Sequence, residues 1–257
     1  MARTGLLCVL LLTLPGCEDR AEALLGKGNA LAARGSLQQA AKSFEEAARL
    51  LPADSRPFEL LGNVRLELRE PAPAKAAFEK ALELNPSSVE ALIGLGRIEG
   101  RTGALDQAID HLTLAVEAAP DRVEARSWRA VFLVARGGSL DLELSLKDVE
   151  HALSVRPNDP ASLYIRGNAL LALHRYDDAR ASFEELSRAA PSSALADYGL
   201  ARLAAAQGDR LGALAQLRQA QQKSKDDPQA LPKEDVRKDP AFRFLEDDPD
   251  FAQLIPR

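Results

Sequence analysis

Residues 76–86 read AAFEKALELNP. Phe78 is followed by Ala81 at a spacing of three and by Pro86 at a spacing of eight. The pattern recurs on both sides. Pro52, Pro86, Pro120, Pro157 and Pro191 stand 34, 34, 37 and 34 residues apart. Gly28, Gly62, Gly96, Ala130, Gly167 and Ala201 form a series of small residues with the same period, and Ala40, Ala74, Ala108, Ser145, Ala179 and Ala213 form a second. A large apolar series runs through Phe44, Phe78, Leu112, Val149, Phe183 and Leu217, each followed at a spacing of three by Ala47, Ala81, Ala115, Ala152, Leu186 and Ala220. Five series share one period and one three-residue slip, so residues 21–227 are six repeats, 21–54, 55–88, 89–122, 123–159, 160–193 and 194–227.

This period and these residue types resemble the tetratricopeptide (TPR) repeat, which has Gly or Ala at position 8, Ala at 20, Phe or Tyr at 24, Ala at 27 and Pro at 32. The resemblance implies an all-α superhelical solenoid, each repeat a helix A and a helix B joined by a turn. Small residues at positions 8 and 20 let the two helices approach where they cross. The large residue at 24 fills the space between neighbouring repeats, and the proline ends helix B. One hairpin cannot bury its apolar face alone, so stacking builds a continuous core. The three-residue insertion falls near ARGGSLD, residues 135–141, where Gly137 and Gly138 predict a longer turn.

Repeat 6 has Lys225 at the proline position and ends in the polar run QAQQKSKDDP, which suits a solvent-facing last helix. Residues 228–257 then carry a small repeat of their own, Asp239-Pro240-x-Phe242-x-x-Leu245 and Asp248-Pro249-x-Phe251-x-x-Leu254. Asp is a good N-cap, Pro suits the first helical position, and Phe and Leu three apart share a face. The segment therefore reads as two very short amphipathic helices that cover the apolar face left open by repeat 6. It resembles the end-of-array segment of many bacterial TPR proteins. Docking of this tail on a partner is the alternative.

The N-terminus places the chain's two cysteines, Cys8 and Cys17. Arg3 supplies a positive charge, Leu6 to Leu14 is an apolar run far short of the roughly 20 residues that span a bilayer, and Leu14-Pro15-Gly16-Cys17 follows. This resembles a bacterial lipobox. The resemblance implies that residues 1–16 are a lipoprotein signal peptide, that cleavage follows Gly16, and that the Cys17 thiol carries a lipid. Several acyl chains would anchor the protein firmly. Residues 17–20 form a short tether, so at about 3.5 Å per residue the repeats begin within roughly 15 Å of the headgroups. The alternative is a scaffold on an uncleaved anchor.

A chain cut before Cys17 holds one cysteine, which removes disulfides, thiolate metal sites and an interior cysteine nucleophile. The formal charge is −5 with basic residues dispersed, so nucleic acid is not an expected partner. Apolar residues reach 46% with aromatics at 5%, the difference being largely Ala and Leu, as in closely packed helices. His111, His151 and His174 fall at unrelated repeat positions without metal-ligand spacing. Pairs such as Glu45-Glu46 and Glu184-Glu185 read as solvated helix faces with partners four residues away. No catalytic, cofactor-binding or metal constellation is present, and the chain reads as a non-enzyme.

In TPR arrays helix A lines the concave face. Position 9 here is Asn29, Asn63, Arg97, Val131, Asn168 and Arg202. Asn29-Asn63-Arg97 resembles part of the carboxylate clamp by which some TPR domains hold a peptide C-terminus, but the clamp's lysines belong at position 5, where Leu25 and Ile93 stand. Tyr164 and Tyr198, both at position 5, are rigid amphipathic candidates for contact, or else pack between neighbouring A helices. Arg97 and Arg202 suggest a bound segment with an acidic or carbonyl-rich stretch. The expected partner is a protein or peptide, and the expected role a lipid-anchored scaffold facing the periplasm that helps assemble a cell-envelope complex. A small-ligand or peptide receptor, or an accessory subunit of an enzyme, is the alternative.

Overall fold

The computed structural model describes residues 17–224 and 233–255; the expected signal peptide, residues 1–16, and the junction at Lys225 lie outside them. Twelve helices follow in pairs: α1 (Cys17–Ala33) and α2 (Leu37–Leu50), α3 (Arg56–Glu67) and α4 (Pro71–Leu84), α5 (Val89–Arg101) and α6 (Leu105–Ala118), α7 (Val123–Arg136) and α8 (Ser139–Val155), α9 (Pro160–Ala172) and α10 (Tyr176–Ala189), α11 (Leu195–Ala206) and α12 (Arg210–Ser224). The C-terminal segment adds α13 (Lys233–Lys238), a 3-10 helix (Pro240–Leu245) and α14 (Pro249–Leu254). Each helix packs on its successor, and the odd-numbered A helices also pack laterally, α3 on α5, α5 on α7, α7 on α9 and α9 on α11. That lateral contact places the A helices on the inner, concave side of a solenoid.

Small and large residues meet across each repeat. A Cβ added to Gly28 would lie 2.4 Å from the Phe44 ring, and one added to Gly62 would lie 2.5 Å from Phe78. The same Phe78 ring would be 2.4 Å from a Cβ on Gly94 of the next A helix, and Phe183 sits in the same way between Gly167 and Gly199. The ring at position 24 is thus held between position 8 of its own repeat and position 6 of the next. Where position 8 is alanine, as at Ala130 and Ala201, the residue at 24 is the smaller Val149 or Leu217. Phe44, Phe78, Val149, Phe183 and Leu217 are all buried. Ser145, the one polar residue of its series, is buried too and donates from Oγ to the Ala130 carbonyl at 3.1 Å, so the exchange leaves no orphaned hydroxyl.

Each A–B turn needs one left-handed residue. Gly35, Gly103, Gly137 and Gly208 supply it at φ between +73° and +86°, and Arg69 and His174 adopt φ of 60° and 58° at the equivalent places. The five prolines fall two residues past the last residue of α2, α4, α6, α8 and α10, where helix continuation is blocked.

Four expectations need correction. The repeat-4 insertion does not lengthen the turn, which is Gly137-Gly138 alone; it lengthens the helices, α8 having 17 residues against 14 in α2, α4, α6 and α10. Arg136 holds this corner by pairing with Asp141 and with Asp106 of the previous repeat, both at 2.7 Å. Residues 17–20 are not a separate tether but the first turn of α1, which Glu18 and Asp19 favour electrostatically at a helix N-terminus. The last helix is not simply solvent-facing: Ala220 is buried, Gln221 donates to the Leu254 carbonyl at 2.6 Å, and Lys223 pairs with Asp197 at 2.6 Å. Finally, Glu45 and Glu185 pair across helices, whereas the expected pairing along one helix occurs in α4, Lys75 with Glu79 and Lys80 with Glu83. Glu45 pairs with Arg65, Glu185 pairs with Arg166, and Asp148, fully buried, receives Arg126 at 2.9 Å and Arg129 at 2.7 Å. Removing either partner of such a buried pair would strand a charge.

Candidate protein-binding groove

The seven groove candidates divide into two groups. Asn29, Asn63 and Arg97 stand on α1, α3 and α5, and their side chains are exposed or half-buried. Asn29 lines a cleft of about 420 Å³ with Leu25, Glu59 and Leu60. The Arg97 guanidinium lies over the Trp128 ring, 5.1 Å from its centroid, and 3.8 Å from Glu124. Trp128 in turn stacks on Phe132 at 5.9 Å. Phe132 fits against α5 because Gly100 has no side chain; a Cβ there would lie 2.2 Å from the ring. Trp128 stands at position 6, which holds Gly26, Gly94 and Gly199 in three repeats and Leu60 and Ile165 in two, so it is the one aromatic residue at that place. One rim carries rungs from each A helix to the start of the next: Glu22 to Arg56 at 2.6 Å, Ser88 donating to Glu59 at 2.7 Å, and Glu90 to Arg122 at 2.5 Å. Such exposed pairs contribute at most about 1 kcal/mol each and serve mainly to fix geometry.

Tyr164, Asn168, Tyr198 and Arg202, on α9 and α11, meet the chain's own tail. Tyr198 Oη donates to Asp239 Oδ2 at 2.6 Å, and Arg202 Nε lies 3.1 Å from the same oxygen. Arg202 also donates to Asn168 Oδ1, and Asn168 Nδ2 donates to the Tyr164 carbonyl at 2.9 Å. The Asp239 carboxylate, with its side chain only 12% exposed, spends its other oxygen on the Ala241 amide at 2.9 Å, capping its own 3-10 helix. The Tyr198 ring packs on Phe242 at 5.9 Å, and Phe242 on Phe251 at 6.2 Å. Burial, and then the bond to Asp239, pushes the Tyr198 phenol well above its ordinary pKa; burial does the same to Tyr164. The Tyr198 hydroxyl is thus the neutral donor to Asp239. Tyr198 and Arg202 were expected to face a partner, and instead hold Asp239. The sequence carried no signal for this, because the tail lies outside the period that gives groove positions.

The second Asp-Pro unit is seated differently. Asp248 caps α14 through the Asp250 and Phe251 amides and pairs with Arg210, which holds the carboxyl below its usual range. Phe242, Leu245, Phe251 and Ile255 are buried with Ala213, Leu214 and Leu217 of repeat 6, while Phe244 is exposed.

The three histidines lie apart. His111 pairs with Glu99 at 2.7 Å and His174 with the Tyr176 hydroxyl at 2.8 Å. His151 stands 3.9 Å from Asp121. Among the described residues no group of three or more His, Cys, Asp or Glu could hold a metal ion. No helix among them is long and apolar enough to cross a membrane. Cys17 is a half-buried free thiol at the head of α1, beside a cleft of about 930 Å³ that Leu51, Pro52 and Leu84 help to line.

The family model described as Tetratricopeptide repeat matches residues 15–55, 60–123 and 164–228, more than half of the chain. The chain belongs to the tetratricopeptide repeat family. It is 34% identical to tetratricopeptide repeat protein 33 of Mus musculus over 105 residues, which are 41% of this chain and 40% of that protein. The chain thus spans about two fifths of that relative's length. Among solved structures it is similar to pilF of Pseudomonas aeruginosa, with a TM-score of 0.65 and 19% identity over 83% of this chain and 94% of that one. PilW, a widely conserved type IV pilus biogenesis factor, gives a TM-score of 0.67 and 16% identity over 82% and 95%. At these identities the likeness is one of fold. A TPR solenoid presents a concave helix-A surface suited to binding protein or peptide, and here one end of that surface is filled from within the chain.

Proposed function

We propose that the chain is a lipid-anchored TPR scaffold of the bacterial cell envelope, facing the periplasm, which binds a segment of another protein in the concave groove of repeats 1 to 4 and helps to assemble or stabilise an envelope complex. The observation that carries this reading is the contrast within the groove. Asn29, Asn63, Arg97 and Trp128 present polar, cationic and aromatic surface that the tail does not cover, whereas Tyr198 and Arg202 already have a ligand. Asn amides suit an extended backbone, and Arg over an indole is rigid and rich in donors, as interface hot spots tend to be. Lipidation at Cys17 rests on Leu14-Pro15-Gly16-Cys17. With α1 starting at Cys17, the groove would sit directly at the membrane surface. The likeness to pilF and PilW supports the architecture, and assembly work is a role that such a fold can serve.

Cross-linking capture of partners from native cells tests the reading. Asn63→Ala with Arg97→Ala should weaken capture tenfold or more, about 1.4 kcal/mol, while Glu79→Ala on a B helix should not. Cys17→Ser should release the protein from the membrane fraction or leave an unprocessed precursor. Normal capture by the groove variant places binding elsewhere, and unchanged mature mass and membrane partitioning of Cys17→Ser removes the anchor.

A further inference from the structure

The two Asp-Pro-x-Phe-x-x-Leu units have the same sequence pattern, and in each the Asp carboxylate caps its own short helix, so what distinguishes them is chiefly what each meets on the array. Asp248 pairs with Arg210 at the start of α12, on the B-helix side, and this is all that covering the end of a solenoid requires. Asp239 instead enters the groove. Its carboxylate is taken by position 5 and position 9 of repeat 6, and the second of these is braced by position 9 of repeat 5 through Arg202 and Asn168. Its aromatic partner, Phe242, packs at a tilt against the Tyr198 ring and is almost fully buried. The Tyr198 phenol and the Arg202 guanidinium, the latter braced by Asn168, form a carboxylate cradle beside an aromatic seat.

We infer that repeats 5 and 6 form a second recognition site, specific for a polypeptide segment of the form acidic residue, proline, any residue, aromatic residue, which residues 239–242 of the chain itself fill until a partner carrying such a segment displaces them. The inference rests on the scaffold reading but concerns a different part of the groove. The cis occupant defines the ligand chemistry. The acidic side chain must reach Tyr198 Oη and Arg202, the proline starts a turn that directs the chain back to the array, and the aromatic ring three residues after the acidic one meets Tyr198. A second copy of the chain is a poor occupant. Its tail would break the contacts with its own array that it makes with its neighbour's, and would lose the entropy of association besides. A partner segment with no seat of its own also pays the entropy of association and must displace the cis tail, but it gives up no intramolecular contacts of its own. Because the cis segment competes, the apparent affinity of the site is reduced by the fraction of time the tail occupies it.

The test uses the full chain and a fluorescent peptide with the sequence of residues 236–246, VRKDPAFRFLE. Asp239→Asn keeps a good helix N-cap while removing the charge that Arg202 holds, so it should loosen the tail without unfolding it. By fluorescence anisotropy this variant should bind the peptide at least tenfold tighter than the wild-type chain. Adding Arg202→Ala should abolish the gain, as should alanine in place of the peptide's aspartate. Phe242→Ser, which empties the aromatic seat directly, should give the same gain. Equal, weak binding by wild type and both variants, with helical circular dichroism retained, overturns the inference, as does a gain indifferent to Arg202→Ala. A gain accompanied by dimerisation in light scattering assigns the site to a second copy and overturns the partner assignment. The scaffold reading is judged separately, by capture through Asn63 and Arg97.

Discussion

Arg97 and Arg202 occupy the same position of repeats 3 and 6, yet their surroundings differ. Arg97 spreads over the Trp128 ring with one side open, and its one carboxylate, Glu124, is 3.8 Å away. Arg202 lies between the Asp239 carboxylate and the Asn168 amide, under a tail whose Phe242 and Phe251 are buried. The helices that present the two arginines follow the same repeat pattern. What distinguishes them is the segment that arrives from outside the period. A repeat position therefore predicts where a side chain points, and only the flanking sequence decides whether that surface is available.

The largest expected effect comes from removing that segment. Deleting residues 228–257 exposes surface now covered by Phe242, Leu245, Phe251 and Ile255, each worth roughly 1.5–3 kcal/mol when fully buried. Because each repeat touches mainly its neighbours, repeats 5 and 6 should melt first, with repeats 1 to 4 retained, and the exposed face should promote self-association. A truncated chain that stays monomeric and melts as the full chain does would break the comparison at its root. Smaller, and sharper, is the exchange of each arginine for alanine. Arg202→Ala leaves the nearly buried Asp239 carboxylate without its counter-charge, held only by the Tyr198 hydroxyl and the Ala241 amide, and should cost about 1–3 kcal/mol. Arg97→Ala loses a half-exposed cation–π contact and should cost no more than about 1 kcal/mol. Equal shifts in thermal melting would mean that the tail does not use Arg202 as described.

Much of the architecture was legible because the period is enforced by packing. Gly62 and Phe78 recur together because the ring needs the missing side chain, and a sequence records such pairs directly. The left-handed turn position was less plain, since Arg69 and His174 occupy it in two repeats. The insertion was located but misread: Gly137-Gly138 suggested a longer loop, whereas the extra residues continue the helices and the glycines close a two-residue turn. At the candidate site, repeat arithmetic assigned Asn29, Asn63 and Arg97 to A helices, and they stand on α1, α3 and α5. The occupation of Tyr198 and Arg202 was not, because Asp239 reaches them across some 40 residues with no shared register.

The smallest predicted effect is a control for that comparison. Arg69→Gly in the open half and His174→Gly in the filled half each relieve one left-handed residue, which costs roughly 1–2 kcal/mol, against the greater unfolded-state freedom of glycine. Arg69→Gly should stabilise by about 0.5 kcal/mol, and His174→Gly by less, since it also gives up the bond to the Tyr176 hydroxyl. Deleting residues 228–257 should leave the effect of Arg69→Gly, read from denaturant midpoints, unchanged; a change would show that the tail reaches further than its contacts indicate.

The central claim is that the purified chain fills the repeat 5–6 end of its groove with its own residues and leaves the repeat 3–4 surface uncovered. A photoreactive benzophenone amino acid in place of Tyr198, and separately of Trp128, tests this most directly, with adducts mapped by peptide mass spectrometry. The account predicts an adduct within the chain from position 198 to the tail around Phe242, and none to the tail from position 128. Absence of the first adduct, or a tail adduct from position 128, would contradict it.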